Sequence, residues 1–489
     1  MSSKVCVIGL DCAPPELVFD KWRADLPNLD RLMRSGVYGS LESTTPPITV
    51  PAWMSMMTGK DPGTLGIYGF RNRRDHSYDG LAFANNRMVK EETVWDVLAK
   101  QSKRSILLGV PLTYPPKPIS GLMVCDFLAP GTNVEYTYPP ELGEEIREVV
   151  GDYMIDVPGF RTDDKDRLLA DIYRMTETRF KLASHLITNK PWDLFVMVEM
   201  GTDRIHHGFW RYFDTEHPLY QQGNPYENAI HDYYVVVDRL IGQLAAQLPQ
   251  DTLLMVVSDH GAKRMDGGIC FNDWLIQEGY LVLKEKPDGI TKFSPELVDW
   301  GKTQAWGDGG YYGRFFLNVE GREPQGVVPA NQVESLRSEI ASKLEALGDE
   351  NGKSIGTQVF RPEKLYKSCN NVPPDLIVYF GDLNWRSVGT VGNPSVWTHE
   401  NDTGPDDANH AQFGIAIATE TGSQTTDGGR WQSGMSIYDI APTILKAFDV
   451  EPPSGMGREA IVVSSQHDSV YSAEEEEELA RRLEDLGYL

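Results

Sequence analysis

The sequence predicts an α/β fold with a mostly parallel central sheet, helices on both faces and an inserted smaller cap subdomain. Three observations carry this. Short apolar runs recur along the chain, helix-like segments lie between several of them, and one stretch rich in Gly and aromatic residues breaks the alternation. With 489 residues the chain exceeds the size at which one core stops growing, so a large body with an insertion, or two domains, is expected.

The strand candidates are residues 5–10, 105–110, 194–198, 253–257, 376–379 and 413–418. Each is a short apolar run bounded by polar or turn residues, the pattern of a strand buried on both faces. Residues 29–35, 92–101, 166–187 and 228–248 carry helical periodicity between them. The stretch 261–364 is the insertion, with YLVLKEK and GRFFLNVEGRE reading as short strands or hairpins. That leaves 1–260 and 365–462 as the core. Residues 383–411 are loop-like, and a long ordered loop in a compact domain is usually functional. The tail, 463–489, is expected to be an acidic helix, because its glutamates precede its arginines as the helix dipole favours.

Composition narrows the function. Lys and Arg total 46 against 71 Asp and Glu, leaving a net charge of −25 that disfavours a nucleic-acid polymer as partner. A small phosphate ester remains compatible, since bound divalent cations can reverse the field inside one pocket. No apolar stretch approaches a membrane span, and the N-terminus enters a short strand without the apolar region of a secretory signal, so no membrane partner and a cytoplasmic location are expected. Five scattered cysteines lack C-x-x-C spacing and suggest neither a disulfide framework nor a cysteine zinc site.

Several residues are placed for chemistry. Asp11 follows the first strand directly, and ligands of open α/β sheets collect outside the carboxyl ends of strands. Ser258-Asp259-His260-Gly261 follows the strand 253–257 in the same way, putting a carboxylate beside an imidazole, a pair that suits Zn²⁺ or Mn²⁺. Asp203 and His207 are four apart, on one face of a helical turn, where they could chelate one ion or simply pair with each other. Thr49 precedes Val50-Pro51 and should sit at a helix N-terminus, where an anion is attracted; Ser43, Thr44 and Thr45 compete with it for any catalytic role. Of the loop histidines, His410 lies next to the strand 413–418 while His399 lies further out.

Taken in order, Asp11, Thr49, Asp203 with His207, Asp259-His260 and His410 resemble the metal-site signature of the alkaline-phosphatase superfamily, most closely its type I phosphodiesterase and nucleotide pyrophosphatase branch. The resemblance spans roughly residues 5–458 and includes Thr58-Gly59-Lys60-Asp61-Pro62, which matches the Thr-Gly-x-x-Pro pattern downstream of the family nucleophile. A sulfatase match fails, because Cys12-Ala13-Pro14-Pro15-Glu16 lacks the arginine of C-x-P-x-R.

The resemblance implies an alkaline-phosphatase-like fold and two divalent cations, Zn²⁺ first and Mn²⁺ second, about 4 Å apart. One would be held by Asp203, His207 and His410. Asp11, Asp259 and His260 would hold the other, with Thr49 as its further ligand and as the nucleophile. It implies hydrolysis of a small diester or nucleotide through a phosphothreonine, by a monomer or homodimer. Tyr68, Arg71 and Lys263 are expected as substrate contacts, and Trp53, Trp306, Tyr311 and Tyr312 as possible stacking rings. The rival readings are a monoesterase, phosphonate hydrolase or phosphomutase of the same superfamily, and a non-catalytic metal-binding scaffold.

Overall fold

The computed structural model describes residues 4–424, 428–458 and 460–461; the tail expected to form an acidic helix lies outside them. Its ten-stranded main sheet runs Arg430–Trp431, Val37–Glu42, Phe413–Glu420, Thr252–Val257, Lys4–Leu10, Leu194–Glu199, Ser105–Leu108, Gly121–Val124 and Thr137–Tyr138, with Met435–Ser436 also on Val37–Glu42. The five strands from Thr252–Val257 to Gly121–Val124 pair in parallel. Three of them, Lys4–Leu10, Leu194–Glu199 and Thr252–Val257, are buried along almost their whole length, which is why they read as unbroken apolar runs rather than alternating ones. The strand Phe413–Glu420 closes onto them antiparallel, bringing its first residues to the edge where the parallel strands end.

Helices flank the sheet in two groups. Pro27–Arg34, Lys165–Asn189, Gly201–Phe213 and Ala229–Ala245 pack on one another; Thr49–Thr58, Val94–Ala99 and Ile440–Ala447 pack together elsewhere. Their limits follow local chemistry. Asp164 caps the 25-residue helix Lys165–Asn189 by accepting from the Arg167 amide at 3.2 Å, and the helix stops before Pro191, whose ring disfavours helical backbone at Lys190. Thr93 and Asp96 form a capping box at the start of Val94–Ala99. No helix among the described residues is long and apolar enough to cross a membrane.

One strand expectation is corrected. Leu376–Tyr379 is not in the main sheet but pairs antiparallel with Gly313–Leu317 and Gln358–Phe360, in a four-stranded sheet that also holds Ala305–Asp308. A short apolar run fits any buried strand, and this one is buried over a second core that includes Phe315, Leu317, Ile340 and Phe380. The run 280–286 likewise forms no strand, only an isolated bridge from Leu283 to Val298. Within 383–411 the chain makes three short strands, and the last, Ala408–Ala411, pairs with Gly261–Arg264 so that His410 faces Ala262 in register.

Candidate metal centre and cavity

Three adjacent parallel strands deliver the site. Asp11 follows Lys4–Leu10, Asp203 lies in the first turn of the helix that follows Leu194–Glu199, and Asp259-His260 follows Thr252–Val257. The register pairs Leu10 with Glu199 and Gly9 with Val257, so these ends are level. Thr49 opens the helix Thr49–Thr58, which crosses so closely that a Cβ on Gly9 would lie 2.2 Å from the Trp53 ring; Trp53 donates its indole N–H to Asp11 Oδ2 at 2.7 Å. Trp53 therefore supports the centre instead of stacking a substrate.

The seven residues expected as metal ligands, Thr49 among them, meet here, each almost fully buried. His207 Nε2 lies 3.2 Å and His410 Nε2 3.9 Å from Asp203 Oδ1. His260 Nε2 lies 3.1 Å from Asp259 Oδ2, 3.7 Å from Asp11 Oδ1 and 3.3 Å from Thr49 Oγ1. Asp203 belongs to both groups of ligand atoms, Asp203 with His207, His410 and Cys12, and Asp203 with Asp11 and His260. The Asp203 carboxylate also pairs with Arg204.

The donor atoms fit divalent cations. His410 Nδ1 faces the Pro47 carbonyl at 2.8 Å, His260 Nδ1 the Gly261 carbonyl at 3.1 Å and His207 Nδ1 the Asp406 carboxylate at 2.7 Å. Those oxygens can only accept, so each neutral ring carries its proton on Nδ1 and turns the Nε2 lone pair inward. Asp11 Oδ1, Asp259 Oδ2, His207 Nε2 and His410 Nε2 are buried with no hydrogen-bond partner. Lone pairs held against carboxylates repel, and a cation is what relieves that repulsion.

Electrostatics agree for five of the groups. At His207 burial is outweighed by the Tyr311 hydroxyl, Asp406 and Asp203, which raise the ring above its ordinary value, so that without a cation its Nε2 carries a proton toward Asp203. Burial first, and then the charge of Asp203, pushes the Asp11 carboxyl well above the usual range; burial and then Asp11 do the same to Asp259. Burial would also raise Asp203, but His207 and Arg204 outweigh it and hold this carboxyl well below its ordinary value. Burial pulls His260 down to about 4, and burial with the neighbouring His260 and His207 pulls His410 well below its ordinary value.

His206, beside the centre, points away to stack on Tyr234 with ring centroids 5.7 Å apart, and burial lowers it from 6.5 to about 3. Its neutral form is the one the fold accommodates, so this stability is complete above pH 6.5 and is lost as pH falls toward 3. At pH 5 the loss is about 2 kcal/mol. Urea unfolding of the chelator-treated protein at pH 7.5 and pH 5 should show a drop that is smaller by about that amount in His206→Gln; equal drops in both proteins would refute the assignment.

Beside the centre opens a cavity of about 990 Å³, lined among others by Thr49, Arg71, Arg161, Trp306, Tyr311 and Tyr312. Arg71 is half-exposed in it and paired with Asp308 at 2.8 Å. Tyr68 and Lys263 do not line it. The Tyr68 hydroxyl is turned inward and donates to the Asn370 carbonyl at 2.7 Å, and Lys263 Nζ donates to the Asp382 carbonyl at 2.7 Å. His399 is exposed, as its place in the loop suggested. Arg204 and Asp406 are not singled out by the sequence, and Cys12, which directly follows Asp11, is read there only as the start of a failed C-x-P-x-R motif.

The model of the family described as type I phosphodiesterase / nucleotide pyrophosphatase matches residues 5–406, so His410 lies just past the matched region. Among solved structures, phosphonoacetate hydrolase from Sinorhizobium meliloti 1021 in complex with phosphonoacetate is similar at TM-score 0.58 and 15% identity, over 91% of this chain and 96% of that one. Human ectonucleotide pyrophosphatase / phosphodiesterase 5 is similar at TM-score 0.51 and 13% identity, over 94% and 97%. An inactive form of its murine counterpart in complex with AMP gives 0.52 and 13%, over 93% and 97%. At such identities the likeness is one of fold. No curated protein matches the chain in sequence.

Proposed function

Because the chain belongs to the type I phosphodiesterase / nucleotide pyrophosphatase family of phosphate-ester hydrolases, we propose that it is a two-cation phosphodiesterase that cleaves a small diester or nucleotide through a phosphothreonine at Thr49. The observation that carries this reading is the cluster of buried ligand atoms around His260 Nε2, partnerless Asp11 Oδ1 and Asp259 Oδ2 among them, with the Thr49 hydroxyl 3.3 Å from that nitrogen at the wall of a cavity large enough for a mononucleotide.

In this reading Asp203, His207 and His410 hold one cation, and Asp11, Asp259 and His260, with Thr49, hold the other. Their mixed nitrogen and oxygen donors favour Zn²⁺, with Mn²⁺ next. When bound, divalent cations supply a lowered hydroxyl pKa and compensation of phosphoryl charge. The chain supplies position. Thr49 stands at a helix start, where amide N–H groups and the dipole draw the phosphoryl group in, and its oxygen attacks phosphorus opposite the leaving group. Water then hydrolyses the phosphothreonine from the side the leaving group vacated, opposite the Thr49 oxygen, so two inversions leave configuration unchanged. Arg71 and Arg161, rather than Tyr68 and Lys263, meet substrate oxygens in the cavity, and Trp306, Tyr311 and Tyr312 face its organic part. Residues 1–260 and 365–462 form the catalytic body and 261–364 the cap, with Leu376–Tyr379 contributed to the cap's sheet. The AMP and phosphonoacetate complexes of the structural neighbours bear on ligand size only, and both ligands are small.

After chelation and re-addition of Zn²⁺ or Mn²⁺, bis-p-nitrophenyl phosphate should be hydrolysed faster than p-nitrophenyl phosphate or phosphonoacetate. Preference for the monoester would establish a phosphatase, and preference for phosphonoacetate a phosphonate hydrolase. Cation binding with no turnover on any of the three would favour the scaffold reading.

A further inference from the structure

We propose that Asp406 is a positioning residue that tightens the cation position of Asp203, His207 and His410; this rests on the reading that His207 holds a cation. The three inward-facing histidines are not supported alike. His260 and His410 lean on the neutral carbonyls of Gly261 and Pro47, whereas His207 Nδ1 lies 2.7 Å from the Asp406 carboxylate. A carboxylate partner fixes the tautomer more firmly than a carbonyl and makes the opposite nitrogen a better donor.

Asp406 is itself locked. Its side chain is buried, and its Oδ2 accepts from Arg161 Nε at 3.1 Å and Nη2 at 3.0 Å and from the Tyr311 hydroxyl at 3.1 Å, with Arg386 Nη1 3.8 Å away. Tyr311 adds a second restraint. Its ring stacks on His207 at 4.9 Å and on His410 at 4.4 Å, so the group that secures Asp406 also fixes the planes of both imidazoles. Arg161 precedes the helix Lys165–Asn189, Tyr311 comes from the insertion and Asp406 from the long loop, so three separate segments meet at one carboxylate. Arg161 and Tyr311 line the cavity as well. Among the described residues the Nδ1 of His260 meets only the Gly261 carbonyl.

Titration of the chelated protein with Co²⁺, followed by visible absorption and calorimetry, tests this without any substrate. Asp406→Asn should weaken one of the two Co²⁺ sites by about 10- to 100-fold and leave the other within a few-fold. The weakened site should be the one that His207→Ala removes, and Asp406→Asn should cause no further loss in the His207→Ala background. Equal losses in both backgrounds, losses at both sites, or no loss overturns the proposal. Absence of any His207-dependent Co²⁺ site overturns it together with the functional reading, and Co²⁺ binding unchanged by Asp406→Asn overturns it alone. If Asp406→Asn does not fold, Tyr311→Phe, which keeps the carboxylate and both rings but removes one donor, should give a few-fold loss at the same site; no loss there counts equally against it.

Discussion

Thr49→Ala should lower kcat for diester hydrolysis by about 10³-fold or more, because in the proposed mechanism it deletes the attacking oxygen. The expectation is specific because the hydroxyl does so little for the fold. It opens the helix Thr49–Thr58 without capping it, and among hydrogen-bonding groups its Oγ1 approaches His260 Nε2 at 3.3 Å. Stability and cation content should therefore stay near wild type, and Thr49→Ser should recover much of the rate. The neighbouring hydroxyls differ. Thr44 donates its own to the Pro46 carbonyl at 2.6 Å, so it is committed to the turn. Steady-state rates together with metal content decide the matter, and a Thr49→Ala protein that turns over like wild type removes Thr49 from the chemistry.

Asp203→Asn has the second-largest effect, with a signature no ordinary destabilising change shares. Asp203 contributes to both groups of ligand atoms, so neutralising it weakens both cation positions. A loss of several kcal/mol in charge stabilisation corresponds to roughly 10³-fold in rate. The stability deficit should be larger with metal than without. In the chelated protein the repulsion from Asp11 and Asp259 is outweighed by His207 and Arg204, which hold the Asp203 carboxylate ionised, so the Asn variant should be somewhat less stable than wild type. Arg204 is not orphaned, since Asp156 Oδ2 remains 2.7 Å from its Nη2. With saturating Zn²⁺ the deficit should widen, because ligand at 100 times its Kd stabilises by about 2.7 kcal/mol and the variant forfeits that. Thermal melts of both proteins with and without Zn²⁺ measure this. A variant less stable by the same amount in both conditions would mean that Asp203 serves the fold rather than a cation.

Much of the centre was legible because a buried parallel strand ends abruptly. An apolar run followed at once by an acid, as in Leu10-Asp11 and Val257-Ser258-Asp259-His260, marks the carboxyl edge of a sheet where ligands gather. The four-residue spacing of Asp203 and His207 was equally readable, since a helix puts both on one face. What could not be read was whatever depended on distant segments meeting. Asp406 finds its partner 199 residues away, and no local pattern marks it. Lys263 was singled out for standing near His260 in the chain, yet strand alternation sets Ala262, not Lys263, opposite His410, and the lysine reaches Asp382 instead. Tyr68 follows the nucleophile segment closely but turns its hydroxyl inward to Asn370. Leu376–Tyr379 has the composition of a main-sheet strand; only its pairing with Gly313–Leu317 assigns it elsewhere.

The steric course at phosphorus, followed with an isotopically chiral diester hydrolysed in labelled water, is the most direct test of attack by Thr49. Two successive displacements predict retention of configuration. Inversion would mean that water attacks the substrate directly and that no phosphothreonine forms.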